Sequence, residues 1–163
     1  MPVVQMTVIE GYDDATKSRL LKGMTHVVLS VMAAKPDGVV TMLNEVKPSA
    51  YARGGVSRVP GPPLPSGVEV VRGFAQALLA ADSARAAGYL GEGCACTGAG
   101  GAERNPLRMR EWLADLDYAD FDEALTEDGT VVYARRKRGA GSVERFHVRQ
   151  GRIVDIQSWG GAA

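Results

Sequence analysis

Cysteine is scarce in this chain: Cys94 and Cys96 are the only two in 163 residues. A C-x-C pair with no neighbouring histidine or further cysteine supplies too few ligands for a structural zinc, which takes four. The expectation is two small thiols in a glycine-rich loop, and nothing else in the chain supports a redox or persulfide site. An excess of charge of one sign is also missing. The net charge is +0, with seven basic against five acidic residues before position 67 and twelve against fourteen after it. Such a balance excludes a specialist for nucleic acid or for an anionic membrane surface. Nor is there a long apolar run. The longest, residues 27–34, is far too short to span a bilayer, and the N-terminus lacks the basic and apolar regions of a signal peptide. A cytoplasmic protein is expected, with no metal and no cofactor. What remains, 45% hydrophobic and 23% charged residues, is ordinary for one globular domain or two very small ones.

The most informative residue is Pro2, which opens a strand over residues 2–9. If Met1 is removed, the ring nitrogen becomes a free secondary amine, a base supplied by the main chain itself. A free α-amino group titrates near ~7.7–8.0. Burial among apolar groups lowers that value, which leaves a neutral base available at neutral pH.

The clearest boundary is the proline-rich stretch 56–67, where four of the eight prolines lie between Pro60 and Pro65. It cannot donate a regular hydrogen-bond ladder and reads as a semi-rigid spacer. Modules are expected over 1–55 and 68–163. The first reads β-α-β. Its opening strand ends at Glu10-Gly11, Asp13 or Asp14 caps a helix, and Leu20, Met24, Val27, Val28 and Val31 recur on one apolar face. Lys35-Pro36-Asp37-Gly38 stops that helix, and a second strand over 39–46 completes a right-handed parallel pair. Residues 51–55 suggest a short hairpin. A sheet this small cannot cover both of its faces, so the module must oligomerise.

The second module reads as helices over 68–81 and 83–90, a glycine-rich loop over 91–101, and a helix opened by Asn105-Pro106 that carries Leu107, Trp112, Leu113 and Leu116. Three closing strands follow, at about 130–138, 142–149 and 152–159, with turns at Gly139-Ala140-Gly141 and Gln150-Gly151. Helices followed by an antiparallel meander give an α+β fold.

Residues 2–55 resemble the 4-oxalocrotonate tautomerase family. The resemblance rests on Pro2 opening a strand, Glu10-Gly11 before the helix, the helix length, Asn44-Glu45 ending the second strand, and Tyr51 shortly before Gly54-Gly55. It implies that Pro2 shuttles a proton between carbon and oxygen of an enol or unsaturated carbonyl compound, and that Tyr51 is an aromatic pocket wall. The family's type members hold a keto-diacid with an arginine after the "EG" pair and another in the second strand. Those positions are here Tyr12 and about Val40, so two bidentate carboxylate clamps are missing and a small dicarboxylate is not the expected substrate. Arg53 is the arginine left near the hairpin for an anion contact. The resemblance also implies a homo-oligomer, a hexamer in preference to a dimer, acting on a small molecule.

Residues 68–163 resemble the SnoaL/NTF2-like cone fold, most specifically over 143–156. This half-open barrel holds a hydrophobic ligand in ketosteroid isomerases, polyketide cyclases and many non-catalytic binding modules, so the fold alone selects no function. Alternation puts Glu144, Phe146 and Val148 on one face and Arg145, His147 and Arg149 on the other. A carboxylate on the apolar face is raised in pKa, which makes Glu144 a candidate acid near the oxyanion-hole position of ketosteroid isomerases; the alternative is that it pairs with an arginine. Phe146, Tyr89 and Trp112 are candidate walls of the cone, although residues such as the last two are more often core. His147 reads as a solvated or interface residue and His26 as surface. Three functions follow: an isomerase with Pro2 as its base and the cone holding or capping an apolar cyclic substrate, a cyclase or isomerase with its site in the cone, or a non-catalytic binding protein.

Overall fold

The computed structural model of the chain describes residues 1–112, 116–137 and 143–159. The chain divides into two compact units, Met1–Pro63 and Leu64–Ala163. The first contains strand β1 (Val3–Ile9), helix α1 (Asp14–Val31), strand β2 (Val40–Val46) and a hairpin of β3 (Ala52–Arg53) and β4 (Val56–Ser57). Residues 56 and 57 therefore belong to a hairpin strand rather than to a spacer. Asp13 caps α1, its carboxylate accepting from the Thr16 amide at 2.8 Å. Strands β1 and β2 are parallel, in register from Val3↔Val40 to Ile9↔Val46, with α1 as the crossover between them.

The two faces of this sheet differ. Val4, Met6 and Val8 are half-buried, whereas Val3, Gln5 and Thr7 are exposed. The exposed set shares its face with Val40, Met42 and Asn44 of β2, because parallel partners point the same way. A sheet face that mixes Val3, Val40 and Met42 with Gln5, Thr7 and Asn44 is thus left open in a single chain. The helix is less one-sided than its periodicity suggests. Met24 and Val28 are buried, but Val27 and Val31 are 62% and 81% exposed, because a two-stranded sheet is too narrow to cover the whole apolar stripe. His26 is exposed, as its place off that stripe implies.

The second unit opens with α2 (Gly67–Leu79), α3 (Ser83–Gly88) and β5 (Leu90–Thr97), then continues through α4 (Met109–Trp112) to strands β6 (Tyr118–Thr126), β7 (Gly129–Arg136), β8 (Val143–Arg149) and β9 (Arg152–Trp159). Ser66 and Glu69 cap α2 reciprocally, and Asn105 caps a 3-10 turn over Pro106–Arg108 that runs into α4. The five strands form one mixed sheet in the order β5-β9-β8-β7-β6, with β5 parallel to β9 and the other pairs antiparallel. The sheet is open, with β5 and β6 as its edges. The α+β class holds for both units.

Two strands were not anticipated. The segment expected to be a loop over 91–101 is largely β5, whose glycines mask its pattern. Gly93 sits at φ +66°, and the ladder to β9 shifts register between Leu90 and Ala95, the signature of a bulge. Cys94 and Cys96 therefore lie in a strand, with Cys96 buried. Strand β6 was hidden by its acidic residues Asp120, Asp122 and Glu123, which suit an edge strand, and by a register shift after Tyr118. Leu116, expected in the helix, lies past the end of α4 and is buried just ahead of β6. Leu113 and the turn at Gly139-Ala140-Gly141 lie outside the described residues.

Candidate active site

Parallel pairing places Pro2 in a defined setting. Its carbonyl accepts from the Val40 amide at 3.0 Å, one step outside the Val3↔Val40 pair. Pro2 itself is half-buried. Helix α1 must return the chain from Val31 to Val40, so its C-terminal end lies at the same end of the unit as Pro2. The surroundings brought to that end are apolar: Val3, Val31 and Met32 are all exposed large hydrophobics. The return segment 32–39 carries a single cation, Lys35, and no arginine. Sequence reading singled out no residue of that segment as part of a site, because its placement beside Pro2 follows from the parallel topology.

The other residues expected around Pro2 leave from the opposite end. Tyr12, half-buried, follows Gly11 just past the end of β1. Gly11 has φ +135°, and a Cβ there would lie 2.9 Å from the Pro60 ring, so this turn requires glycine twice over. Tyr51 and Arg53 come after Val46, the last residue of β2, and both are exposed. A ladder of seven pairs spans about 23 Å. The five residues from Val46 to Tyr51 reach at most about 18 Å even if extended, and they instead pass through a 3-10 turn at Pro48–Ala50. Within one chain, Pro2 is thus separated from Tyr12 and Tyr51. At that far end Lys17 of α1 pairs with Glu45 of β2 at 2.9 Å, and the Glu45 contact raises the Lys17 ammonium above its ordinary value.

In the second unit, Glu144 lies on the inner face of β8 with no exposed surface. The arginine pairing considered from the sequence is present: Arg136 Nε stands 3.1 Å from Glu144 Oε1, with the two side chains 4% and 0% exposed. The Ser158 hydroxyl donates to the same Oε1 at 3.1 Å. Burial pushes the Glu144 carboxyl above its ordinary range, against the opposing pull of the Arg136 charge and of hydrogen bonds from Ser158 and Tyr118. Arg136 escaped sequence analysis because it reaches Glu144 from a different strand.

The proposed cone walls are largely core. Phe146 has no exposed surface and meets Phe74 and Tyr118 edge-to-face at 6.5 and 6.1 Å, which corrects its reading as a ligand contact. Tyr89 packs so closely over α2 that a Cβ on Gly73 would lie 2.4 Å from its hydroxyl oxygen. Trp112 ends α4, and its side chain lies outside the described residues. A cleft of about 360 Å³ opens between Leu78, Ser83 and Leu107. Its arginines are engaged, Arg108 with Glu111 and Arg110 with the Leu78 carbonyl. Burial pushes the Cys94 and Cys96 thiols up to about 11 and about 12, so neither is a ready nucleophile at neutral pH. His147 is mostly buried and faces Asp128 at 3.1 Å. Among the described residues, no cluster of three or more His, Cys, Asp or Glu side chains is gathered as for a metal.

Residues 2–59 match the family described as "Tautomerase enzyme", so the N-terminal unit carries a tautomerase domain. No curated protein matches the chain. Among solved structures, a study of the 4-oxalocrotonate tautomerase isozymes from Methylibium petroleiphilum is similar at 25% identity, covering 34% of this chain and 88% of that one, with a TM-score of 0.33. An NTF2-like protein of unknown function from Burkholderia xenovorans LB400 is 17% identical over 59% of this chain and 83% of its own, with a TM-score of 0.36. An NTF2-like protein of unknown function from Cytophaga hutchinsonii ATCC 33406 is 13% identical over 63% and 95%, with a TM-score of 0.40.

Proposed function

We propose that the protein is a keto–enol tautomerase whose general base is the Pro2 nitrogen once Met1 is removed. The observation that carries this reading is the tautomerase domain over residues 2–59, with Pro2 at the head of β1. The free amine accepts a proton from the enol oxygen, or from the carbon α to the carbonyl, and returns it to the other of these two atoms. A base titrating near neutrality is the efficient one for such a transfer. Glu144 is not needed for this chemistry.

The substrate is an apolar enol or ketone with a single carboxylate at most, for which Lys35 is the cation at the Pro2 end. Tyr12 and Tyr51 reach a Pro2 site only from a neighbouring copy. That separation, together with the open face of β1 and β2 and its exposed Val3 and Met42, supports a homo-oligomer in which each pocket lies at a subunit boundary, a hexamer being the expected form. The test is turnover of phenylenolpyruvate by the native protein and by Pro2→Ala. The variant should lose most of its activity, because a primary amine differs in basicity and geometry. Unchanged turnover, or an intact mass showing Met1 retained in an active protein, would remove Pro2 from the mechanism.

A further inference from the structure

The cleft of about 360 Å³ lies in the helical layer of the C-terminal unit, and none of the described residues lining it comes from the five-stranded sheet. It is therefore distinct from the inner sheet face, where Val132, Ala134, Phe146 and Ile156 pack without exposure. Leu78 and Ala81 belong to the end of α2 and the turn after it, Ser83 opens α3, and Leu107 to Glu111 run through the 3-10 turn into α4. One of these walls is strained. Helix α2 ends with the Ala81 amide donating to the Leu78 carbonyl at 3.0 Å and the Asp82 amide donating to the Ala77 carbonyl at 2.9 Å. This double closure puts the residue after the cap in the left-handed region, where glycine is usual. Here that residue is Ala81, at φ +57°, a conformation costly to any side chain with a Cβ. A strained alanine, where glycine would relax the chain, thus lines the cleft.

A positive charge is also left over. Arg108 is paired with Glu111, so those two charges cancel. Arg110 has no carboxylate partner among the described residues; its Nη1 donates to the Leu78 carbonyl, a neutral acceptor, at 3.3 Å. The C-terminal end of α2 holds the cation there. A guanidinium carries five N–H donors, and one long bond leaves most of its fork available. We propose that this cleft binds an apolar monocarboxylate, the carboxylate taken by Arg110 and the body lying against Leu78, Ala81 and Leu107. The guanidinium fork matches a carboxylate bidentately. A dianion would set its second charge against Glu111 with no free cation to meet it. A cavity of about 150 Å³ takes one benzene, so this volume holds a body of up to about two fused rings. The site belongs to the C-terminal unit and stands independently of the role given to Pro2.

2-Naphthoate is a suitable probe, with neutral 2-naphthamide as its shape-matched control, titrated into the full chain. The readouts are the NMR signals of the Arg110 Nε–H group and of the backbone amides of residues 78–83 and 107–111. Naphthoate should shift these signals to saturation, and the amide should bind at least about tenfold more weakly, the usual worth of a hydrogen bond to a charged group. Arg110 is exposed, so Arg110→Gln leaves the core intact; it should weaken naphthoate about tenfold and leave the amide unchanged. Ala81→Gly should raise the melting temperature by relieving the strain, yet weaken naphthoate about threefold through the lost methyl. Equal affinity for the two probes, or shifts confined to the N-terminal unit, overturns the proposal. Native affinity for naphthoate in Arg110→Gln or in Ala81→Gly overturns it as well.

Discussion

Replacing Glu144 by leucine should be among the most damaging single changes in the C-terminal unit. The substitution leaves the Arg136 guanidinium, 4% exposed, without its counter-charge inside an apolar sheet face. Removing one partner of a buried pair costs about 3–5 kcal/mol, a large share of the ~5–15 kcal/mol that stabilises a whole domain. Arg136→Met should cost a similar amount by stranding the carboxylate. The double variant should fall within about 1 kcal/mol of the native protein or above it, since a well-packed apolar pair of similar volume is often neutral or better. The assay is urea denaturation followed by tryptophan fluorescence. Both tryptophans, Trp112 and Trp159, lie in the C-terminal unit, so the signal reports that unit without the other. With a slope of about 2 kcal/mol per molar urea, each single variant should lower the midpoint by about 2 M. Additive losses in the double variant would refute the reasoning, as would a single variant costing under about 1 kcal/mol.

Further expectations follow from other residues. Adding one residue ahead of Pro2 acylates its nitrogen and should abolish phenylenolpyruvate turnover more completely than Pro2→Ala; equal residual rates in a steady-state assay would count against an amine base. With Tyr12 and Val40 where arginines would clamp carboxylates, 2-oxo-hexenedioate-type diacids should be about a hundredfold poorer in kcat/KM than a monoacid, and efficient diacid turnover would contradict this. Light scattering should give a hexamer, and a monomer would refute the subunit-boundary site. Glu144 is raised above its ordinary value of 4.5, so its stabilising contribution is complete below that pH and is lost as pH rises through the folded value. The stability of native protein relative to Glu144→Gln should therefore fall as pH climbs from about 4.5, and a relative stability that rises over that range would reverse the sign.

The β-α-β unit was legible because each element announces itself: β1 and β2 are compact apolar runs, Asp13 is a cap, and Lys35 to Gly38 is a stop. Val27 and Val31 misled because periodicity reports an apolar stripe without saying how wide its cover is. Strand β5 was lost to the conformational freedom of Gly93, and β6 to edge-strand charges that look like loop. The alternation of β8 correctly turned Glu144 inward. Its partner lay beyond sequence reasoning, because Arg136 and Glu144 meet across two strands that pair Ala134 with Glu144. The same limit applied to Pro2. Its motif was readable, but the distance between it and Tyr51 follows only from parallel pairing and the direction in which the chain leaves β2.

On the proposed reading, that direction would make the catalytic unit something counted per assembly rather than per chain. If one copy supplies Pro2 and another supplies Tyr12 or Tyr51, damage to either set spoils different halves of different pockets. Two inactive preparations, one altered at Pro2 and one at Tyr51, would then regain part of the native rate when dissociated and reassembled together, since some boundaries would pair an intact half with an intact half. Specific activity would also fall on dilution, following the association equilibrium. The working enzyme would be, in effect, a contact between molecules.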